Sequence, residues 1–416
     1  MSSNIIEKIL ARAAGKEWLR PGDIAVCVPD IVIALDLTFA MDGTWYRPKT
    51  LFDSERVVLV FDHAVPAPSI KDAAGMVEAR RFAEEFGLKN FFDVGKHGIA
   101  HVVAAENGLA RPGELLLCSD SHTCAAGAFN CAGRGVSGLD VLQAMTTGRV
   151  WYPVAPTIRY EFDGTLPHLV GGKDVFFHIA QTYGSHTGTN IEFGGAGLCA
   201  LSMSDRRTIA TMCAELGAEF SVFEHDRTTA AYLEGRLQTP GAPVSPDRGA
   251  EYLDVRTIHL EALEPYIILP DSVPGNGKRL SILTEPIAIH QAFVGSCANG
   301  LIEDLRAVAG ILKGRTVARG VRLIVTPGSQ DVYLQAAREG LLEIMVAAGA
   351  VVTNSTCGAC FGYHMGVLAP GEVCITASTR NFRGRMGSAQ ALIYMGSPAT
   401  VAASAITGLI TDPRSI

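Results

Sequence analysis

Glu114-Leu115-Leu116-Leu117-Cys118-Ser119-Asp120-Ser121-His122-Thr123 is an apolar run that stops abruptly in hydroxyls, one carboxylate and one imidazole. Consecutive apolar residues without polar alternation suit a strand buried on both faces, as in a parallel sheet covered by helices. The same pattern recurs along the chain. Val57-Val58-Leu59-Val60-Phe61 runs into Asp62-His63, and residues 287–294 run into the loop carrying Cys297. Ala350-Val351-Val352 leads to Cys357 and Cys360, and Glu372-Val373-Cys374-Ile375-Thr376-Ala377 leads to Ser378-Thr379-Arg380-Asn381-Phe382-Arg383-Gly384-Arg385. Helical segments at 72–86, 205–216 and 301–312 punctuate the strands, the first two followed by the stop signals Gly87 and Gly217. This alternation predicts an α/β chain with mainly parallel sheets. Ligands of such sheets sit beyond the carboxyl ends of the strands, so five polar motifs at five strand ends predict one shared cleft.

A chain of 416 residues exceeds one simple core and predicts two or three domains. The Pro- and Gly-rich stretch 238–249 reads as a loop or linker, and 270–277 as a second break. The expected units are 1–155, 156–280 and 281–416, the last carrying the clustered cysteines. With 48% hydrophobic and 19% charged residues, and 44 glycines, the composition suits a glycine-rich α/β enzyme and argues against disorder. A net charge of -7 without any dense Lys/Arg run gives no footprint for nucleic acid. The N-terminus carries no stretch of signal-peptide type, and no run approaches the roughly 18 apolar residues of a membrane span. A cytoplasmic location is expected, where ten cysteines serve as thiols or metal ligands rather than disulfides.

Three of those cysteines stand apart. Cys297 lies in Gly295-Ser296-Cys297-Ala298-Asn299-Gly300, and Cys357 and Cys360 lie in Thr356-Cys357-Gly358-Ala359-Cys360-Phe361-Gly362. The other seven have no ligand-like spacing and read as small buried hydrophobes. A CxxC pair alone fits half of a zinc site equally well, but structural zinc wants four protein ligands. Here the pair sits in glycine-rich backbone after a strand, where amide N–H groups stabilise thiolates, and a third cysteine waits in another strand-end loop. That pattern favours an iron–sulfur cluster on three thiolates, with one iron open to substrate.

Around it, Asp62-His63 and Ser119-Asp120-Ser121-His122-Thr123 place carboxylates beside imidazoles, the pairing that tunes histidine for proton transfer. His101, in Gly98-Ile99-Ala100-His101, adds a third imidazole in an apolar, helix-like setting. Each dipeptide alone fits a structural hydrogen-bond knot. Arg380 and Arg385 flank a glycine-containing turn and are able to grip carboxylates bidentately.

Taken in order over nearly the whole chain, these segments, with Glu215 in Cys213-Ala214-Glu215-Leu216-Gly217-Ala218, resemble the aconitase superfamily. The likeness is greatest to its branch of large subunits that includes 3-isopropylmalate dehydratase and homoaconitase. The resemblance implies three α/β domains around a central cleft, and a [4Fe–4S] cluster bound by Cys297, Cys357 and Cys360 that acts as Lewis acid. It implies that His101, supported by Asp120, protonates the departing hydroxyl, with Asp62-His63 and Glu215-His122 as further pairs. Ser121, Arg380 and Arg385 are the implied substrate-binding residues. The expected activity is a hydro-lyase or isomerase acting on a 2-hydroxy di- or tricarboxylate, with 3-isopropylmalate the default substrate. Homocitrate or a methyl- or dimethyl-malate is the runner-up.

Single-chain members carry an extra mobile domain with a serine base, whereas this chain stops at Ile416. The resemblance therefore implies a small subunit that carries this swivelling domain. An iron-responsive RNA-binding regulator of the same fold is the alternative from another class, and the net charge and the missing domain count against it. A zinc-binding or cluster-free structural relative is the third reading, opposed by the acid–base residues beside the cysteines. Four positions depart from the family pattern. Thr211 and Thr379 stand where asparagine is usual, Leu35 ahead of Asp36-Leu37-Thr38 replaces a histidine, and Ser-Cys-Ala-Asn replaces Ser-Cys-Thr-Asn. These predict altered contacts to substrate, with the cluster ligands intact.

Overall fold

The computed structural model describes residues 2–40, 45–237 and 239–416; Met1 and Gln238, the first residue of the expected linker, lie outside them. Among the described residues three large sheets follow one another along the chain. The first has five parallel strands, in the edge-to-edge order Asn90–Phe92, Val57–Val60, Ile31–Leu35, Leu115–Cys118 and Ala132–Gly135. The second has four parallel strands, Ser221–Phe223, Asn190–Gly194, Thr157–Asp163 and Asp254–His259. The third has seven, ordered Gly277–Arg279, Tyr266–Ile268, Leu392–Met395, Val373–Thr376, Gln291–Val294, Arg322–Val325 and Val351–Val352. Tyr266–Ile268 pairs antiparallel with both of its neighbours, and the pairings among the last five strands are parallel. Ile24–Cys27 and Val150–Pro153 form a separate antiparallel ribbon.

The apolar runs fold as strands because both of their faces are covered. Val57–Val60 and Leu115–Cys118 are buried at every position. Phe162, Phe193 and Phe223 stack across the second sheet, with 4.4 Å between the last two rings, and fill one side of its core. The expected helices form with shifted ends. Residues 72–86 become Ile70–Glu85, because the Ser69 hydroxyl accepts from the Asp72 N–H and starts the helix earlier. Residues 205–216 become the α-helix Met203–Met212 followed by the 3₁₀ turn Cys213–Leu216. Residues 301–312 become Ile302–Leu312.

The apolar run 287–294 is only half strand. Gln291–Val294 enters the third sheet, while Ile289 donates to the Gly408 carbonyl and Ile287 accepts from Ile410, pairing this half with the chain's last segment. The linker stretch carries neither helix nor strand over 239–249 and is strapped beside the first sheet, where Val244 donates to the Asn130 side chain and Ala242 to the Pro112 carbonyl. Two strands ahead of residue 280, Tyr266–Ile268 and Gly277–Arg279, belong to the third sheet.

The carboxyl ends of the first and third sheets face each other. Gly98 makes the approach possible: a Cβ there would lie 2.7 Å from the Ser329 Cα, and its neighbour Ile99 donates to the Gly328 carbonyl at 2.8 Å. No helix among the described residues is long and apolar enough to cross a membrane.

Candidate active site

Between those two sheets lies a cleft of about 580 Å³. Strand Ile31–Leu35 delivers Leu35 and Leu37 to it, Val57–Val60 delivers Asp62 and His63, and Leu115–Cys118 delivers Ser119 to His122. The third sheet brings Cys297 after Gln291–Val294, Cys357 and Cys360 after Val351–Val352, and Thr379, Arg380 and Arg385 after Val373–Thr376. Every candidate cluster, acid–base or substrate-binding residue from the sequence lines this cleft except Glu215, which stands behind His122 and Arg380.

Asp120 is the hub of the carboxylate–imidazole side. Its Oδ1 accepts from the His122 backbone N–H at 2.8 Å and lies 2.8 Å from His101 Nε2, while its Oδ2 is 3.8 Å from His63 Nε2. Burial alone would raise its pKa, but the hydrogen bonds from His101 and His122 overcome this and hold the carboxyl well below the usual range. Asp62 shows the opposite balance: burial pushes it up to about 6, against the pull of His63, whose Nδ1 lies 3.6 Å from its Oδ1. His122 Nε2 sits 2.9 Å from Glu215 Oε1, and the same oxygen accepts from Arg380 Nε at 2.6 Å. Burial opposes the charge on Glu215, yet His122 and Arg380 hold its pKa below the ordinary value. The site thus keeps two carboxylates ionised beside three imidazoles, an arrangement able to hold and deliver protons.

The sulfur side is built on constrained backbone. Ser296 takes φ 106, a left-handed value costly for a residue with a Cβ, and its hydroxyl accepts from the Ala298 and Asn299 N–H groups to hold the turn around Cys297. Gly358 between the paired cysteines takes φ 42. A hydrogen bond from Cys357 and the charge of Arg385 hold Cys360 well below an ordinary thiol, against its burial. Arg385 points a terminal nitrogen at the Cys360 sulfur from 3.9 Å and stacks between Phe361 and Phe382.

Three thiols reaching one cleft, with a guanidinium poised to balance thiolate charge, fit an iron–sulfur cluster. Asp62 Oδ1, His63 Nδ1, Thr379 Oγ1 and Arg385 Nε are buried without a hydrogen bond and leave polar atoms around it. Asp62, His63 and Cys357 also bring one ligand atom each within 4.8 Å of one another, a mixed set of a size able to hold a single divalent ion.

Of the departures from pattern, Leu35 and Thr379 line the cleft. Thr211 does not belong to the rim: it is wholly buried, and its hydroxyl is committed to the Arg207 carbonyl at 2.6 Å. A threonine in a helix bonds back one turn in this way, so that replacement is absorbed within the helix.

Two charged residues had no signal in the sequence strong enough to assign a role. Lys173 is wholly buried, and its ammonium donates to the carbonyls of Ala377 and Ser378, at 3.0 and 2.7 Å, just ahead of Thr379 and Arg380. Asp36, noted only as part of Asp36-Leu37-Thr38, receives three consecutive backbone N–H groups from Asp62, His63 and Ala64.

The sequence model of the aconitase family (aconitate hydratase) matches residues 48–281 and 277–408. The chain is 54% identical over 416 residues to a 3-isopropylmalate dehydratase large subunit of Mycolicibacterium smegmatis, covering 100% of this chain and 98% of that one. It is 40% identical over 415 residues to a protein of that name from Caldicellulosiruptor saccharolyticus, covering 99% and 96%. A probable 3-isopropylmalate dehydratase large subunit of Methanothermobacter thermautotrophicus is 40% identical over the whole of both chains.

Proposed function

The chain belongs to the aconitase family of hydro-lyases, and on that premise we propose that it is the large subunit of a two-subunit 3-isopropylmalate dehydratase. The observation that carries the reading is the cleft itself: three thiols from one sheet face Asp120 with its histidines from another. Cys297, Cys357 and Cys360 would hold a [4Fe–4S] cluster. When bound, it supplies a Lewis-acidic iron for the hydroxyl and carboxylate of the substrate.

The remaining work falls to side chains of this chain. His101, oriented by Asp120 through Nε2, carries the proton to the departing hydroxyl from its other ring nitrogen. Arg380 is fixed by Glu215 through Nε, which leaves its terminal nitrogens to grip a substrate carboxylate. Arg385 and Ser121 hold the substrate's other polar groups, and His122, Glu215, Asp62 and His63 set the charge and orientation around them. Leu35, Leu37, Ile99 and Val136 form the apolar part of the wall, suited to a branched alkyl group. The base that removes the carbon-bound proton is assigned to a small subunit whose mobile domain closes the cleft. The cytoplasm is the proposed compartment, because its reducing poise keeps thiolates available to iron. The three-unit division is proposed with its first boundary near 155, and its second at the start of the third sheet rather than at 280.

Anaerobic purification and metal analysis test this directly. The expected result is brown protein with iron and sulfide, lost in Cys360→Ser, and dehydration of 3-isopropylmalate once the small subunit is added. Colourless protein with stoichiometric zinc, or a Cys360→Ser variant with unchanged iron, would overturn it.

A further inference from the structure

We propose that Asp36 is a positioning residue that sets the register between the cysteine loop at 357 and the helix bearing His101. Its carboxylate is almost wholly buried at the end of strand Ile31–Leu35. Oδ1 accepts from the N–H groups of Asp62 and His63 at 3.2 and 3.1 Å, and Oδ2 from that of Ala64 at 2.6 Å. Three successive amides converging on one carboxylate form an anion nest filled by the chain itself.

The opposite edge of the same turn faces the third sheet. The Asp62 carbonyl accepts from the Cys357 N–H at 3.1 Å and from the Thr356 hydroxyl at 2.8 Å. The His63 carbonyl accepts from Thr356 at 3.2 Å and lies 3.1 Å from His364 Nε2. The carbonyl of residue 62 and the N–H of residue 63 share one planar peptide unit, and so do the carbonyl of 63 and the N–H of 64. Both planes are therefore clamped at both ends, by Asp36 on the donor side and by the cysteine loop on the acceptor side. Each bond polarises the unit and strengthens the other. A third link leaves sideways: Asp62 Oδ2 accepts from the N–H of Ala100, the first residue of helix Ala100–Glu106, at 2.9 Å. A rotation of either plane would move the cysteine loop and the start of the His101 helix together.

Asparagine at position 36 replaces only one of the two oxygens, so its amide group must confront at least one backbone N–H. In Asp36→Asn, hydrogen exchange on the full chain is expected to run at least tenfold faster at residues 62–64 and also at Ala100 and Cys357. Glu192→Gln serves as control, removing charge from another wholly buried carboxylate that accepts from the Ile5 N–H and Arg159. It should leave those amides unchanged. Acceleration confined to 62–64, or equal in both variants, would overturn the proposal. On the iron–sulfur reading proposed above, Asp36→Asn should also shorten the cluster's lifetime in air about tenfold and shift the paramagnetic resonance line of its one-electron-reduced form, and Glu192→Gln should do neither. A wild-type chain that binds no iron defeats that reading while leaving the exchange result decisive. Should Asp36→Asn fail to fold, Thr356→Val removes only the hydroxyl between the turn and the cysteine loop. Exchange at Cys357 indistinguishable from wild type in that variant refutes the coupling.

Discussion

Glu215→Gln isolates what the residue behind the cleft contributes. One oxygen, Oε1, meets both His122 Nε2 at 2.9 Å and Arg380 Nε at 2.6 Å. Glutamine is isosteric, and with its carbonyl at the Oε1 position both contacts survive geometrically. What disappears is the charge. Hydrogen bonds to an ionised partner contribute about 1.5–3 kcal/mol and neutral ones about 0.5–1.5, so each contact weakens by about 1 kcal/mol. Both partners reach the cleft, and the loss of about 2 kcal/mol falls on the orientation of His122 and the freedom of Arg380. At 1.36 kcal/mol per tenfold, that is about a 30-fold fall in kcat/KM. The assay is alkene formation from 3-isopropylmalate by the enzyme assembled with its small subunit, followed by ultraviolet absorbance, at matched iron content. Combining the change with Arg380→Gln should be strongly non-additive, because both act through one oxygen. A kcat/KM within twofold of wild type at equal iron refutes the assignment of Glu215 as the residue that positions these two.

Lys173→Met removes a buried ammonium that serves two carbonyls, leaving each unpaired at a cost of about 1–3 kcal/mol. Against this, burial lowers the lysine pKa to about 8 from 10.5, so the charged form is disfavoured by about 3 kcal/mol. The two effects roughly cancel near pH 7. Their pH dependence does not: between about pH 8 and 10.5 the unfolded lysine binds a proton that the folded one has released, so wild-type stability should rise relative to the variant. Parallel denaturation midpoints for the two proteins at pH 7, 8.5 and 9.5 would sink that account. Phe193→Ala deletes the middle ring of the second sheet's stack, all of it buried. It should lose about 3–5 kcal/mol in urea unfolding, and a loss under about 1.5 kcal/mol would mean the stack closes over the gap.

What was legible in the sequence was whatever is local. Val57–Val60 and Leu115–Cys118 announce themselves as uninterrupted apolar runs, and the chemistry begins one or two residues later, at Asp62 and Ser119. The CxxC pair is legible for the same reason. Glu215 was visible only through resemblance, since nothing in Cys213-Ala214-Glu215-Leu216 says that its carboxylate meets Arg380, 165 residues away. Lys173 was invisible: a lysine beside Asp174 at the start of an amphipathic helix reads as a solvated end, and its carbonyl partners lie 204 and 205 residues further on. The split of 287–294 has the same origin, since a run of apolar residues does not reveal that half of it pairs with Gly408 and Ile410.

On the function proposed above, the sulfurs and the acid–base side chains come from different sheets, and this separation shapes how the site can fail. Cys297, Cys357 and Cys360 follow strands of the third sheet, whereas Asp62, His63, Asp120 and His122 follow strands of the first. Transfer of a proton to a group held by the other sheet demands placement to within about half an ångström, so the seam between the sheets has to be stiff. Two of its pins are backbone to backbone, Cys357 on the Asp62 carbonyl and Ile99 on the Gly328 carbonyl, and side chains such as Thr356, His364 and Asn354 add hydrogen bonds beside them. Backbone pins resist sliding but have no slack. A substitution inside one sheet can therefore weaken metal retention or proton transfer alone, while one at the seam must disturb both together.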